Sequence, residues 1–285
     1  MKHLFRFASY GCLVASMALV ACSDDNDTPD NPGGSNTPSA PSVDNVFTEA
    51  APATIDGYQF TTNDKGQVTN IKDQWEDITI EYGTFTFTRA EEKFQAKATF
   101  KYEGEVESVV YLQFNNQGFI SYALQDYVDA DDTDTWKFEY NNAGQMTSLQ
   151  RSEGGDDFTM TYTDGDLTKV VWKDEDGDTD VITISYTNDT HKTPVANKAN
   201  VMLFDETFDI DMDEMSILYY AGLLGKATKN LPMKLVDSWT EGDSNGESTY
   251  TFFWEFDTKT DLPTKFWSQY NDNDYKDSEV DFSWK

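Results

Sequence analysis

Two side chains that carry much of enzyme chemistry are nearly absent from this chain. It has two cysteines, Cys12 and Cys22, and only His191 among its two histidines lies beyond the N-terminal segment 1–21. If that segment is removed, as argued below, one cysteine and one histidine remain, which excludes a disulfide and a histidine-based zinc site. The sequence also lacks the G-x-S-x-G motif and the glycine-rich loops of nucleotide-binding proteins. We expect His191 to be an exposed loop residue, and none of these motifs indicates an enzyme.

Basic side chains are also scarce. The chain has 21 Lys and Arg against 52 Asp and Glu, a formal net charge of −31 at pH 7, and loss of residues 1–21 would also remove Lys2 and Arg6. Nucleic acid is excluded as a partner, because binding it requires a basic surface that neutralises phosphates. A basic face for anionic lipid is excluded for the same reason. Cationic partners, metal ions and neutral ligands stay open, and the charge favours solubility.

Long hydrophobic runs are missing except near the N-terminus. Lys2 and Arg6 precede the apolar run Leu13–Val20, which is too short for a membrane-spanning helix of about 20 residues. The junction Leu19–Cys22 resembles the bacterial lipobox. We therefore predict a lipoprotein signal peptide over residues 1–21 and a lipid on Cys22, which holds the protein to a membrane. An ordinary secretory signal and an uncleaved anchor are the alternatives.

Residues 22–45 are predicted to form a flexible acidic tether. They consist almost entirely of Asp, Asn, Pro, Gly, Ser and Thr, which cannot bury enough apolar surface to become ordered. The acidic run Ser23–Asp27 resembles the export signal of Bacteroidota-type lipoproteins that reach the outer face of the outer membrane, although a merely solvated linker would look similar. We predict a lipid-anchored outer-membrane protein facing outside, with a single β-rich domain over residues 46–285.

The domain contains a repeated turn. An aromatic residue is followed by Asn or Asp, by Gly, and by alternating apolar positions, in copies about 24 residues apart. The copies begin at Phe114, Tyr140, Tyr162 and Tyr186, with looser ones at Phe60 and Phe256. Asn or Asp with Gly accepts the positive φ of a tight hairpin turn. Alternation such as Trp136, Phe138 and Tyr140 indicates half-buried strands, so each copy predicts one antiparallel hairpin.

These copies resemble the YD (RHS-type) repeat, whose core is Tyr-Asp-x-x-Gly-x-Leu. The whole chain resembles a family of Bacteroidota surface lipoproteins that join a lipobox, a short tether and a porin-like curled sheet of unknown function. Tyr219–Lys226 and Asn230–Pro232 carry the resemblance together with the turns. It implies a mainly β fold, an antiparallel meander of YD-like hairpins curled into an open barrel-like sheet. It implies a surface location and no activity.

One short helix is predicted near residues 212–225. Asp211 or Asp213 can cap its start, and Gly225 is suited to end it. Met215, Leu218, Tyr219, Gly222 and Leu223 are spaced as one buried helical face. The helix either plugs an opening of the curled sheet or packs on its outer face, and the sequence leaves both open.

An acidic loop is the best metal candidate in the sequence. Asp174, Asp176, Asp178 and Asp180 alternate around Gly177, and such carboxylates can converge on Ca²⁺. The order departs from the EF-hand pattern, and a solvated hairpin loop explains it equally. Paired carboxylates for glycoside hydrolysis are also conceivable, but the acidic residues are too many for one pair to be chosen.

Aromatic residues have two interpretations. The chain has 7 Trp, 15 Tyr and 19 Phe, and those of its aromatic-rich strands either fill a core or line a cleft that stacks on sugars. The function we predict is a ligand-binding or accessory protein that captures a glycan or peptide nutrient at the barrel mouth near the helix. The alternatives are an interaction protein that docks another envelope protein, and a carboxylate-based hydrolase. A sealed interior would favour docking, and an open aromatic pocket would favour capture.

Overall fold

The structure is a computed structural model that describes residues 41–89, 91–128, 130, 132–271 and 275–285. The predicted signal peptide, Cys22 and the first part of the tether lie outside the described residues, so those assignments stay predictions. Within the described ranges, none of the helices has the length and apolar character needed to cross a bilayer.

The described residues form sixteen antiparallel strands that close into a barrel. In chain order the strands are β1 (Pro52–Ile55), β2 (Tyr58–Thr62), β3 (Val68–Lys72), β4 (Glu76–Phe87), β5 (Glu92–Tyr102), β6 (Glu105–Phe114), β7 (Ile120–Tyr127), β8 (Thr133–Tyr140), β9 (Met146–Arg151), β10 (Asp157–Thr163), β11 (Asp166–Lys173), β12 (Thr179–Ser185), β13 (Lys234–Glu241), β14 (Ser244–Phe256), β15 (Pro263–Tyr270) and β16 (Glu279–Trp284). The mainly β meander predicted from the sequence is confirmed. The sheet is closed rather than open, because β1 pairs with β16 through Pro52↔Trp284 and Ile55↔Phe282.

Alternate residues of each strand face the interior, as the period-two pattern predicts. In β8, Trp136 and Phe138 are buried inside while Lys137 and Glu139 are exposed outside. Phe252, Trp254 and Phe266 belong to the same continuous core. The core interpretation of these aromatic residues is therefore correct.

The two ends of the barrel differ in their connections. What we call the plugged end carries the predicted repeat turns and a long insertion between β12 and β13, at residues 63–67, 115–119, 141–145, 164–165, 257–262 and 186–233. What we call the acidic end carries, among others, the connections at residues 56–57, 73–75, 103–104, 174–178 and 242–243. The described chain begins at the plugged end, where the backbone N–H of Val43 donates to the carbonyl of Gly66 at 3.0 Å.

The repeat turns share one set of hydrogen bonds. The side-chain oxygen of Asn115 accepts from the backbone N–H groups of Gln117 and Phe119. That of Asn141 accepts in the same way from the backbone N–H groups of Ala143 and Gln145. Gly144 has a φ of +86°, which glycine adopts without strain. The hydroxyl of Tyr140 donates to the carbonyl of Ile120 at 2.8 Å, tying one hairpin to the preceding one. The aromatic residue of the repeat thus joins neighbouring turns.

The insertion 186–233 fills the barrel. It descends through the interior to the acidic end and returns, and it contains the α-helix Phe204–Phe208, called α1, and the 3-10 helix Asp213–Ala221. The helix predicted near 212–225 therefore exists with other bounds and another geometry. It ends at Gly222, whose φ is +78°, and not at Gly225. Because the barrel encloses this helix, its buried residues do not follow a single amphipathic face, and the plug interpretation is correct.

The plug is packed against the wall and against the start of the described chain. Tyr219 is fully buried, its ring lies 5.7 Å from that of Phe47 and 5.6 Å from that of Phe204, and its hydroxyl donates to the carbonyl of Asn200 at 2.7 Å. Val43, in the 3-10 helix Val43–Asn45, is also buried. Residues 41–45 therefore belong to the packed domain, because Val43 and its neighbours supply apolar surface that the rest of the predicted tether lacks.

Candidate functional site: the acidic end

The tip of the plug alternates carboxylates with apolar side chains. Ile210 and Met212 are buried in the core, whereas Asp209, Asp211 and Asp213 are exposed at the acidic end. Asp209 and Asp213 adopt positive φ angles of 54° and 45°. This irregular backbone places successive carboxylates toward the opening while the apolar residues hold the tip in place.

On one side, an arginine of the wall neutralises the tip. Arg151 at the end of β9 contacts Asp213 of the tip at 2.7 Å and Asp134 of β8 at 2.5 Å, and it also pairs with Glu153. The guanidinium lies 4.5 Å from the ring centre of Trp136. Next to it, the side-chain amide of Gln125 donates to Glu214 at 2.5 Å. These contacts fix this side of the tip by ion pairs and hydrogen bonds.

On the other side, the wall contributes carboxylates instead. Asp237 of β13 pairs directly with Ile182 of β12, so Asp180 is its diagonal neighbour on the same inner face. Carboxylate oxygens of Asp180, Asp237 and Asp209 all lie within 4.8 Å of one another. The Oδ1 atom of Asp237 is buried and has no hydrogen-bond partner. The site thus gathers three acids where the opposite side has an arginine.

Four carboxyl groups of the acidic end lie in an environment that raises their pKa values. Burial, followed by repulsion from Asp180, raises the pKa of Asp237 to about 6. Asp209 is exposed to solvent on one side, but desolvation by the surrounding protein and then neighbouring carboxylates, Asp237 first, raise its pKa to about 7. Burial followed by repulsion from Asp205 also raises the pKa of Glu206 to about 7. The pKa of Asp180 is raised as well, by burial and by Asp178.

The structure separates the four aspartates predicted as calcium ligands. Asp174 accepts from the backbone N–H of Asp178 at 2.8 Å, and Asp178 accepts from that of Gly242 at 2.9 Å, so both stabilise loop backbone. Asp176 is exposed in the same loop. Of the predicted set, Asp180 alone belongs to the three-carboxylate group found among the described residues. His191 lies exposed in a loop at the other end of the barrel.

Exposed large apolar residues gather at the acidic end. They are Trp75, Tyr102, Val128, Tyr270 and Tyr275, all in or beside its loops. The rim has one shallow groove of about 250 Å³, which is smaller than usual small-molecule pockets of about 300–1,000 Å³. Its lining residues are Thr135, Lys137, Gln150, Arg151, Ser152, Gly155, Asp156 and Asp157. Beside this groove, the end offers a broad acidic and aromatic surface.

Asp209 and Asp237 were not singled out from the sequence. For Asp237 a signal exists, because Leu235, Asp237 and Trp239 alternate on one side of β13 and a carboxylate therefore stands on an apolar face. For Asp209 the signal is that Asp residues alternate with Ile210 and Met212. This alternation is typical of a strand, but the segment forms no strand. Asp209 and Asp237 are far apart in the sequence, and no local sequence pattern predicts that they lie close together.

The barrel and its interior plug define a porin-like fold. A crystal structure of a porin-like protein from Bacteroides uniformis ATCC 8492 is similar to this chain with a TM-score of 0.53 and 17% sequence identity, covering 80% of this chain and 90% of that chain. A family model described as a domain of unknown function (DUF4595) with porin-like fold matches residues 60–264, and the chain belongs to this family. A comparison with curated proteins finds no match.

The likeness to a porin-like protein concerns the fold, and three strands of the wall, β8, β10 and β12, have the opposite polarity to the strands of a membrane-spanning barrel. Such barrels turn an apolar band toward lipid and polar residues toward the lumen. Here exposed outward positions include Lys137 and Glu139 of β8, Thr159 and Thr161 of β10, and Thr183 of β12. The inward positions form the hydrophobic core. Over these described strands, the outer wall is suited to water.

Proposed function

We propose that this protein is a lipid-anchored protein of the outer membrane, facing outside, that acts as an accessory binding protein. Its acidic end captures a partner rich in positive charge, such as a basic peptide or a basic segment of another envelope protein. The observation that carries the proposal is the filled lumen, because a plugged interior directs binding to the surface. Of the functions considered from the sequence, this combines peptide capture with docking.

The direction in which the chain enters supports this arrangement. Residues 41–47 join the barrel at the plugged end, where Val43 and Phe47 are buried. A lipid on Cys22 would therefore hold the domain from that side. The acidic end lies at the opposite end of the strands and would be the one presented to partners.

Charge and shape support a cationic ligand. The acidic end combines the exposed acids of the plug tip with those of the wall, and Arg151 is engaged with three carboxylates. Like charges held together by the fold attract opposite charge and accelerate its association. The filled lumen favours an extended partner on the surface over a small molecule held inside the barrel.

The test is binding of basic peptides to the full chain, expressed in a lipoprotein-processing bacterium and purified in detergent. We expect a lysine- and arginine-rich peptide to bind and to weaken steeply with salt. The variant Asp211→Asn/Asp205→Asn should reduce affinity several-fold. The matched control Glu139→Gln/Asp164→Asn, which removes the same charge from the outer wall and the plugged end, should change it little. Equal losses in both double variants, or no binding at all, would contradict the proposal.

Glycan capture is the second candidate, favoured by the exposed aromatic rim. Trp75 is 48% and Tyr102 is 41% exposed, and such rings stack on sugars. A glycan array probed with the full chain and with Trp75→Ala separates the candidates. Loss of a glycan signal with retention of peptide binding would assign the rim to sugars.

A further inference from the structure

Among the described residues, one buried carboxylate oxygen lacks a hydrogen-bond partner. Asp237 is only 8% exposed, its Oδ1 atom makes no hydrogen bond, and its carboxylate lies beside those of Asp180 and Asp209. A buried carboxylate oxygen without a donor costs several times what an ordinary hydrogen bond contributes. Such an atom in a native protein requires an explanation.

The two sides of the plug tip show what is missing. On the β9 side, Asp213 meets the guanidinium of Arg151 at 2.7 Å. On the β12–β13 side, Asp209 takes the place that Asp213 has on the other side. Its neighbours there are the carboxylates of Asp180 and Asp237, and the charged groups that act on it are acidic. The charged groups that act on these three acids are themselves acidic: Asp174 and Asp178 of the β11–β12 loop, Glu241 of β13, and Asp205 and Asp211 of the plug.

We infer that Asp180, Asp209 and Asp237 bind a Ca²⁺ ion that joins the tip of the plug to the β12–β13 wall. The geometry fits, because oxygens bonded to one Ca²⁺ at 2.3–2.6 Å lie at most about 5 Å apart, and these lie within 4.8 Å. The ion would give Asp237 Oδ1 its partner. This inference is independent of the proposed partner.

The chemistry of the ligands selects the ion. All three are carboxylates, which favour hard cations, and no histidine or cysteine that would favour zinc or copper stands among them. Asp209 is exposed, so water can complete a coordination shell of 6–8 oxygens. Mg²⁺ demands stricter octahedral geometry and smaller distances, so this loose triad should prefer Ca²⁺. Extracellular modules of this kind bind Ca²⁺ with Kd values of about 0.1–1 mM.

The backbone explains how distant residues form the site. Asp180 and Asp237 are fixed by the β12–β13 register. Asp209 is fixed by its left-handed conformation at the end of α1, where its N–H donates to the carbonyls of Asp205 and Phe204. Two ligands therefore come from the wall and one from the plug, and the ion would hold the plug tip where hydrogen bonds do not.

The experiment measures thermal unfolding of the full chain in detergent, after EDTA treatment, with and without about 5 mM CaCl₂. We expect calcium to raise the Tm by about 5 °C. Asp237→Asn should abolish this rise and, because it removes a buried charge, should raise the Tm of the calcium-free protein. Asp176→Asn, the same change in the β11–β12 loop, should keep the full rise in Tm with calcium. Should Asp237→Asn fold poorly, Asp209→Asn at the exposed position provides the same test.

A second readout uses Tb³⁺ as a calcium substitute. Trp239 stands directly opposite Asp180 on the neighbouring strand, so its excitation should sensitise bound Tb³⁺. The luminescence should be displaced by Ca²⁺ and fall at least about tenfold in Asp237→Asn. The inference is overturned if wild type shows no calcium response, if Asp237→Asn and Asp209→Asn keep it, or if Asp176→Asn alone removes it, which would place the ion in the loop.

Discussion

The two ends of this barrel use the same wall for different purposes. At the plugged end, aromatic side chains and backbone hydrogen bonds join the insertion to the turns; the N–H of Lys226 donates to the carbonyl of Gly144 and that of Lys229 to the carbonyl of Gly165. At the acidic end, carboxylates crowd together with raised pKa values. The plugged end is therefore held together by packing and hydrogen bonds, whereas the acidic end keeps carboxylates close together.

The largest expected effect lies in the plug. Replacing Tyr219 by Ala should lower the free energy of unfolding by about 3–5 kcal/mol, because it opens a cavity among Phe47, Phe204 and Tyr220. Tyr219→Phe should cost only about 1 kcal/mol, since it removes the hydrogen bond to Asn200 alone. Urea denaturation measures both. Equal costs for the two variants would mean that packing does not stabilise this end.

The next effect lies at the acidic end, where Arg151 pairs with the plug tip. Arg151→Met should destabilise the protein by about 3 kcal/mol, because it leaves Asp134, whose side chain is 3% exposed, buried beside Asp213 without a cation. Arg151→Lys retains the charge and should recover part of the loss. Denaturation at neutral pH measures the difference. If Arg151→Met were as stable as the wild type, the carboxylates of Asp134 and Asp213 would not need the positive charge of Arg151.

A pair of glycines compares the ends directly. Gly225 at the plugged end and Gly177 at the acidic end both have a φ of +88°. A Cβ on Gly225 would lie 2.7 Å from the Tyr140 ring and 2.8 Å from the carbonyl oxygen of Gly144, whereas one on Gly177 would meet nothing within 4 Å. Gly225→Ala should cost about 2–3 kcal/mol and Gly177→Ala about 1 kcal/mol. Similar Tm losses would contradict the difference in packing.

The smallest effect is a pH dependence of the acidic end. The pKa of Glu206 and that of Asp209 are raised to about 7 and that of Asp237 to about 6, above unfolded values of about 4. A raised pKa gives stability that is fully present below the unfolded value and lost as the pH rises through the folded value. The calcium-free Tm should therefore fall by a few degrees between about pH 5.5 and 8.

The control for this pH dependence is the variant Asp237→Asn measured over the same range, which should show a shallower slope. Groups with lowered pKa values, such as Asp77 and Glu279, act only at lower pH and leave this window undisturbed. A Tm that rises with pH across the window would contradict the raised values.

Local features of the fold were predictable, and long-range ones were not. The turn at Asn141–Gln145 follows from Asn, Gly and alternating strands, all within ten residues of one another. Barrel closure depends on β1, a strand of four residues, meeting the opposite end of the chain, and no local pattern encodes that pairing. The 3-10 helix lies where a helix was predicted. Its buried residues are not confined to the one predicted face, because the barrel surrounds it.

The candidate site shows the same limit. Asp180 was predicted as a ligand with its sequence neighbours, yet the structure gives Asp174 and Asp178 backbone partners and brings Asp209 and Asp237 to Asp180 instead. Sequence proximity identified the acidic character of the loop. Strand register and the path of the plug decided which carboxylates meet, and both depend on tertiary structure.

The pairing of β1 with β16 has a consequence for biogenesis. Glu279–Trp284 are translated after the other fifteen strands, and the backbone N–H of Lys285 donates to the carbonyl of Ala51 at 2.9 Å. Until that segment arrives, the first and last strands present unpaired edges that can join other chains. The wall closes only after β16 has been synthesised, so the nascent chain must remain protected from self-association until β16 pairs with β1.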